Sequence, residues 1–387
     1  MSTLGVPDSV GTSVLAHCRV MTTTPEQEPL SLERAEDILA YVPHALGFHP
    51  SDSAVLLLMV DKKLEATLRV DLPKHDSAGE RRPWVEQVCK LVGKLPQLTG
   101  ALCVLYSNDP PPAGRELPYH QLLAELSESF DARRTPLHQA WFVNRGMVWN
   151  YNGAVPEQRE NPACPELSDT YLRMVLAGSA PLHEPWDGEG VPEWENAGTI
   201  RSLADSLDGD MYDCLDTWAA LLETDAYQSE ATMRSEPLVA ARLLSGLEIR
   251  LVRDILPYLA GVGAVAARTA VRELALRETE ERAQELADFL LGGGANTPEW
   301  KRLENLWFIC RDLLGVARAG QRSALLCILA WIEWAKGRGS MSMALLRTAL
   351  DSDPEYRLAQ LLQQLLYRGI MPEWATDPQR AWRSSFH

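Results

Sequence analysis

The chain has 387 residues, 46% hydrophobic and 23% charged, which is the balance of two or three globular domains that fold without needing disulfides or structural metal. Its formal net charge of −16 repels phosphate and anionic lipid. No long run of Lys and Arg offsets that charge, so neither nucleic acid nor membrane is an expected partner.

Residues 1–29 are rich in Ser, Thr, Pro and Gly without a sustained period, and read as a flexible or partly ordered arm. Ser31 is placed to cap a helix whose face carries Leu32, Ala35, Ile38, Leu39 and Val42 and which ends at Pro43. "SAVLLLMV" (53–60) is continuously apolar and predicts a strand buried on both faces. "LEATLRVDL" (64–72) alternates with a period of two, and "DKK" between them predicts a three-residue hairpin loop. A helix over 81–95, a strand over 100–106, a helix over 119–130 and strands over 137–143 and 147–152 complete a ββαβαββ order. That order predicts an α/β domain, residues 30–180, on a mixed sheet of about five strands.

A polar, Pro-rich loop (152–168) and a short helix (169–178) follow, and the prolines and two tryptophan-containing turns of 181–198 read as a linker. From 199 to 387 only helical periods remain, over 199–224, 231–247, 248–260, 264–291, 298–318, 321–336, 340–351 and 355–368, which predicts an all-helical second domain.

Within that domain, "SALLCILAWIEWAKGRGSMSMALLRTALDSDP" (323–354) has the look of a tetratricopeptide helix pair. With Pro354 set at the motif's closing proline, Ala349, Leu346, Ser342, Gly337, Ala330 and Leu329 fall on its small or apolar positions. Glu333 replaces the usual aromatic of the first helix. The pair is either a partner-binding repeat surface or a helical hairpin inside an ordinary bundle, and only one such unit is visible.

Together, "ILAYVPHALGFHPSDSAVLLL", "RVDLP" and "WIEWAKGRGSMSMALLRTALDSDPEYRLAQLL" resemble an actinobacterial family catalogued as domain of unknown function 4192. Pro43, Gly47, Phe48, Pro50 and Ser53 match its opening motif, and Arg69, Asp71, Leu72 and Pro73 its strand end. Gly339, Ala344, Asp353, Pro354, Tyr356, Leu358 and Ala359 match its helical tail. The family's paired-cysteine "CCP" segment is met here only by "NPACPE", with Cys164 alone. The resemblance implies a shared fold over about 30–370 and carries no activity with it.

Antiparallel strands 53–60 and 64–72 put "HPSDS" and "DLPKH" at one sheet edge. Strands 100–106 and 137–143, if parallel to 64–72, end there too, so one rim gathers His49, Asp52, Ser53, Asp71, His75, Asn108, Asp109 and Arg145. Such a rim can ligate a divalent cation or perform acid–base chemistry, and a Ser53–His49–Asp71 triad fits the topology. Against this, Ser51 and Asp52 are ordinary turn formers, Gly47 and Pro50 shape the turn, and Asp71 has Arg69 two residues away. The turn reading is favoured, with Phe48 as a buried anchor and Asp52 bonded to amides of its own turn.

No Walker loop, GxSxG, HExxH or zinc-spaced Cys/His set is present, and "GVGAVA" (261–266) lacks the preceding strand a dinucleotide site requires, so no cofactor or metal is expected. The seven cysteines form no CxxC pair and lie partly in apolar runs, as reduced, buried cysteines do in the cytoplasm. No stretch has the ~18 apolar residues of a membrane helix, and "MSTLGVPDSVGTSV" lacks the pattern of a secretory signal. The expected protein is a cytoplasmic adaptor or regulator that binds protein through its helical domain; the alternative is a small-molecule or metal-dependent enzyme, such as a hydrolase, using the rim.

Overall fold

A computed structural model describes residues 17–20, 35–95, 97–109, 117–151, 168–176, 178–276, 280–377 and 379–382. Most of the expected arm, the helix cap at Ser31, the loop at 152–167 and Cys164 lie outside the described residues.

The apolar run 53–60 forms β2 (Ser53–Val60), and its neighbours pair on both sides. β3 (Lys63–Asp71) lies antiparallel on one side and β4 (Gly100–Tyr106) antiparallel on the other. β5 (Leu137–Asn144) runs parallel to β4, and β6 (Met147–Asn150) closes that edge as an antiparallel hairpin. The sheet thus contains the five expected strands. It gains a sixth, because residues of the arm form β1 (His17–Val20), antiparallel to β3, giving the order β1-β3-β2-β4-β5-β6. β2 lies between β3 and β4, so those two run in the same direction without touching.

The period of two is visible in where the side chains go. Ala54, Leu56 and Leu58 of β2 enter the core beneath α2 (Ala78–Val92) and α3 (His120–Asp131). Val55 and Leu57 enter the core beneath α1 (Ala35–Leu46). All five are fully buried, which is why the run carries no polar residue.

Two local expectations are corrected. The β2–β3 loop has two residues, not three: Asp61 and Lys62 take φ of 47° and 66°, the left-handed pair whose twist suits a tight hairpin. Helix α1 does not stop at Pro43 but runs on to Leu46. Tyr41, Val42, Ala45 and Leu46 are buried there, and their packing outweighs the backbone bond that proline cannot donate.

Beyond β6, α4 (Asp169–Leu176) packs on α1. No strand occurs among the described residues after 200. The expected 199–224 helix is broken into α5 (Ala197–Ser206) and α6 (Met211–Leu222), because the Asp210 carboxylate caps a new start through the amides of Tyr212 and Asp213. A helix expected from 231 begins earlier and divides at Pro237, giving α7 (Ala226–Ser235) and α8 (Pro237–Gly246). Helices α9 (Arg250–Val262), α10 (Ala264–Leu276), α11 (Glu280–Leu290), α12 (Trp300–Leu313), α13 (Ala319–Ala335), α14 (Gly339–Ser352) and α15 (Arg357–Tyr367) follow, then a 3-10 turn at Glu373–Thr376. "GVGAVA" is the α9–α10 turn, with Gly263 at φ 123°. Trp218, Trp331, Trp334 and Trp374 are core residues of this half.

The two halves are packed together. Met341 of α14 joins the core beneath α1, while Met371 and Ala381 join the core beneath α2. The segment 182–194 is strapped down along its length: Leu182 exchanges backbone bonds of 2.9 Å with Gly47 and His49. Further on, Arg322 donates to Gly188 O at 2.9 Å, and Trp194 N donates to Gly315 O at 3.0 Å.

Candidate functional site

The sheet directions do bring the start of β2 and the ends of β3, β4 and β5 to one edge. Ser53 faces Asp71 on one side and Tyr106 on the other, and Val143, just before Asn144, is level with Tyr106. Asp52, in the left-handed region at φ 41°, turns its carboxylate to the next loop: Oδ1 accepts from Asn108 N at 2.9 Å and Oδ2 from Asn108 Nδ2 at 3.3 Å. The amides of its own turn are therefore not its partners, contrary to the sequence expectation; its own carbonyl takes Leu72 N at 2.9 Å. Asn144 is buried and donates to the carbonyls of Ser107 and Asp109, tying β5 to the same loop.

Asp71 pairs with Arg69 at 2.6 Å. The Arg69 guanidinium also reaches Ser340 Oγ at 3.0 Å and Ser51 O at 3.2 Å, and lies 5.8 Å above the Phe48 ring. The Ser53 Oγ is buried and takes no hydrogen bond, so His49 is not placed as its base and the triad is not assembled. His49 and His75 are both exposed, with the His75 amide donating to Glu80 Oε2 at 3.0 Å; Asp109 and Arg145 are exposed as well. Among the described residues, no three His, Cys, Asp or Glu side chains gather closely enough to hold a metal ion. One rim residue was missed from sequence: the Tyr119 phenol is pushed up to about 12 by burial and by the charges of Asp109, Asp52 and Asp76. Its left-handed φ of 60°, just before α3, has no sequence signal.

A second site was also missed. A cleft of about 360 Å³ opens in the helical half between the 186–194 strap, α7 and α12. Trp186 and Trp194 line it together with Glu230, Arg234, Arg311 and Asp312. Arg234 stacks 4.6 Å over the Trp194 ring and pairs with Glu230 at 2.8 Å. Arg311 donates twice to Asp312, at 2.9 and 2.7 Å, and both bonds land on Oδ1. The Asp312 side chain is only 9% exposed, and burial pushes its carboxyl above the usual range against the pull of Arg311.

A family model described as a domain of unknown function, DUF4192, matches residues 36–373, which take in both the rim and the cleft. The chain belongs to the DUF4192 family. No curated protein and no solved structure matches it. In this DUF4192 chain the motif residues lie around the turn before β2, at the end of β3 and along α13–α14. Gly47 has φ 83°, and a Cβ there would stand 3.1 Å from Arg338 Nη2. Phe48, Pro50 and Pro73 are buried and Arg69 bridges to α14. Gly337, at φ 77°, ends α13, Ala349 is fully buried in α14, and Pro354 follows that helix on the surface.

Proposed function

We propose that this DUF4192 chain is a non-catalytic, cytoplasmic adaptor or regulator whose helical half receives a protein partner, with the α/β half as the base that holds it. The observation that carries the reading is the contrast between the two polar sites. At the rim, Asp52, Asp71 and Asn144 are spent on internal bonds. In the helical half, aromatic and charged side chains line an open cleft instead. The α13–α14 hairpin, with Leu329, Ala330, Ser342, Leu346 and Ala349 buried, is taken as tetratricopeptide-like. Cys89, Cys103, Cys214, Cys310 and Cys327, all buried and unpaired, suit a reducing compartment.

The test is affinity capture of the tagged full chain from its native host, with mass spectrometry of both proteins and small molecules. The reading expects a protein recovered in fixed proportion by wild type and by Asp52→Asn, and lost with the charge reversal Glu230→Arg, which breaks the pair with Arg234 in the cleft. A bound metabolite or a turnover that disappears in His49→Ala or Asp52→Asn would establish the enzyme alternative instead.

A further inference from the structure

We propose that the C-terminal segment 379–382 is a clasp between the two halves of the molecule, and that it opens more readily when the Lys336 amine beneath it carries a proton. Neither the clasp nor its test depends on the adaptor reading.

The segment crosses from one half to the other. Arg380 donates to the carbonyls of Gly294 and Asn296 at 3.1 and 3.2 Å and to Thr297 Oγ1 at 3.2 Å. Its own carbonyl accepts from Trp300 Nε1 at 3.0 Å. Ala381, next along, is buried in the core beneath α2. The Trp382 indole then returns to the helical half, where it donates to Glu304 Oε1 at 2.7 Å and lays its ring against Lys336. A run of neighbouring residues thus fastens the helices to the α/β layer.

What the clasp covers works against it. Lys336 is 8% exposed, and among the described residues its ammonium has neither a hydrogen bond nor an ion pair. Its neighbours are ring faces, Trp382 at 4.8 Å and Trp307 at 6.0 Å. An indole face attracts a cation but gives its three N–H groups no acceptor like water, so part of the cost of burial stays unmet. The carboxylates facing the amine are engaged elsewhere: Glu333 of α13 pairs with Arg338 at 3.1 Å, and Glu304 of α12 takes the Trp382 N–H. Trp307 Nε1 is also buried without an acceptor. Burial holds the ammonium below its ordinary value of 10.5, against the raising pull of Glu333 and Glu304 and with Arg338 adding to the lowering. Once Trp382 lifts, the nearest cover is gone, and the amine meets water and returns toward 10.5. The open form therefore binds the proton more tightly, so opening gains as pH falls through the window below 10.5.

The experiment is limited trypsin digestion of the full chain, with cleavage after Arg380 followed by mass spectrometry from about pH 7 to about pH 10. The Arg380 side chain is tied to Gly294 and Asn296 while the clasp is closed, so cleavage there reports opening. Dividing each rate by that of Lys336→Met at the same pH removes the protease's own pH dependence. The quotient should fall as pH rises, by about tenfold for each pKa unit that separates the closed form from the open one. Lys336→Gln, a second uncharged reference, should give the same trend and serves alone if the methionine variant does not fold. Trp382→Ala should raise cleavage after Arg380 several-fold at neutral pH. A quotient that stays level or climbs with pH, or a Trp382→Ala chain cut no faster than wild type, would overturn the inference. So would cuts within α12 appearing as fast as the cut after Arg380, because the whole chain rather than the clasp would then be opening.

Discussion

Replacing Arg69 with methionine tests whether the sheet and the helical half are one cooperative unit. The methionine keeps the apolar stem that packs near Phe48 and removes the guanidinium. Lost with it are the 2.6 Å pair to Asp71, the 3.0 Å bond to Ser340 Oγ and the 3.2 Å bond to Ser51 O. Stripping one partner from a fully buried pair costs about 3–5 kcal/mol. The Asp71 side chain is 29% exposed and regains water, which lowers the expected cost to about 2–3 kcal/mol. Ser340→Ala removes a single neutral acceptor and should cost about 1 kcal/mol. Because the Arg69–Ser340 bond joins β3 to α14, the double variant should fall short of the sum by about 1 kcal/mol. The assay is urea denaturation followed by tryptophan fluorescence and by circular dichroism. Only Trp84, Trp141 and Trp149 precede residue 180, so fluorescence weights the helical half. The two signals should move together in every variant. A coupling below about 0.3–0.5 kcal/mol, or a loss of stability confined to one signal, would refute the reasoning.

At the turn, Phe48→Ala should destabilise by about 3–5 kcal/mol, since the ring is 1% exposed. Asp52→Asn should lose about 1 kcal/mol and His49→Ala no more than about 0.5 kcal/mol, read from thermal melts of all three. Burial holds the Lys336 ammonium below its ordinary value of 10.5, against the raising pull of Glu333. Between that depressed value and 10.5 the unfolded chain binds more protons than the native one. Native stability should therefore gain as pH climbs through that window, and Lys336→Met should flatten the gain when both are followed by urea melts from neutral to alkaline pH. Burial also pushes the Cys103 thiol up to about 12 and raises those of Cys89, Cys214, Cys310 and Cys327. A thiol reagent at pH 7.5, about a unit below an ordinary cysteine, should leave these five unmodified until the chain is unfolded, as peptide mass mapping would report.

The sheet was legible because β2 has one physical reason to be continuously apolar, namely cores on both faces. The rim was legible at the level of strand ends, since direction alone sends Ser53, Asp71 and Asn144 to one edge. Its bonds were not. That Asp52 reaches Asn108 depends on the path of a loop, and a local reading assigned it to its own turn. Helix ends failed where local punctuation competes with packing: Pro43 lost to the buried face of α1, whereas Asp210 and Pro237 each opened a new helix inside a long period. The cleft was out of reach because its walls come from 186–194, α7 and α12, which no spacing relates. One cue did exist, Trp186 and Trp194 in a segment read as a linker: two indoles in a short Pro/Gly-rich stretch need something to cover them.

The four residues of β1 lie along the outer side of β3, pairing His17 through Val20 with Arg69 back to Ala66. Both α14 and the final 3-10 turn rest against β1. Without β1, the outer edge of β3 would show a row of open amides and carbonyls across a segment that includes Ala66, Leu68 and Val70. Such an edge is a template for a strand from any other chain. A protein shortened to begin at residue 35 would therefore keep its three cores and lose its colloidal good behaviour, adding copies edge to edge. The strand β1 acts in this respect as a built-in guard against self-association.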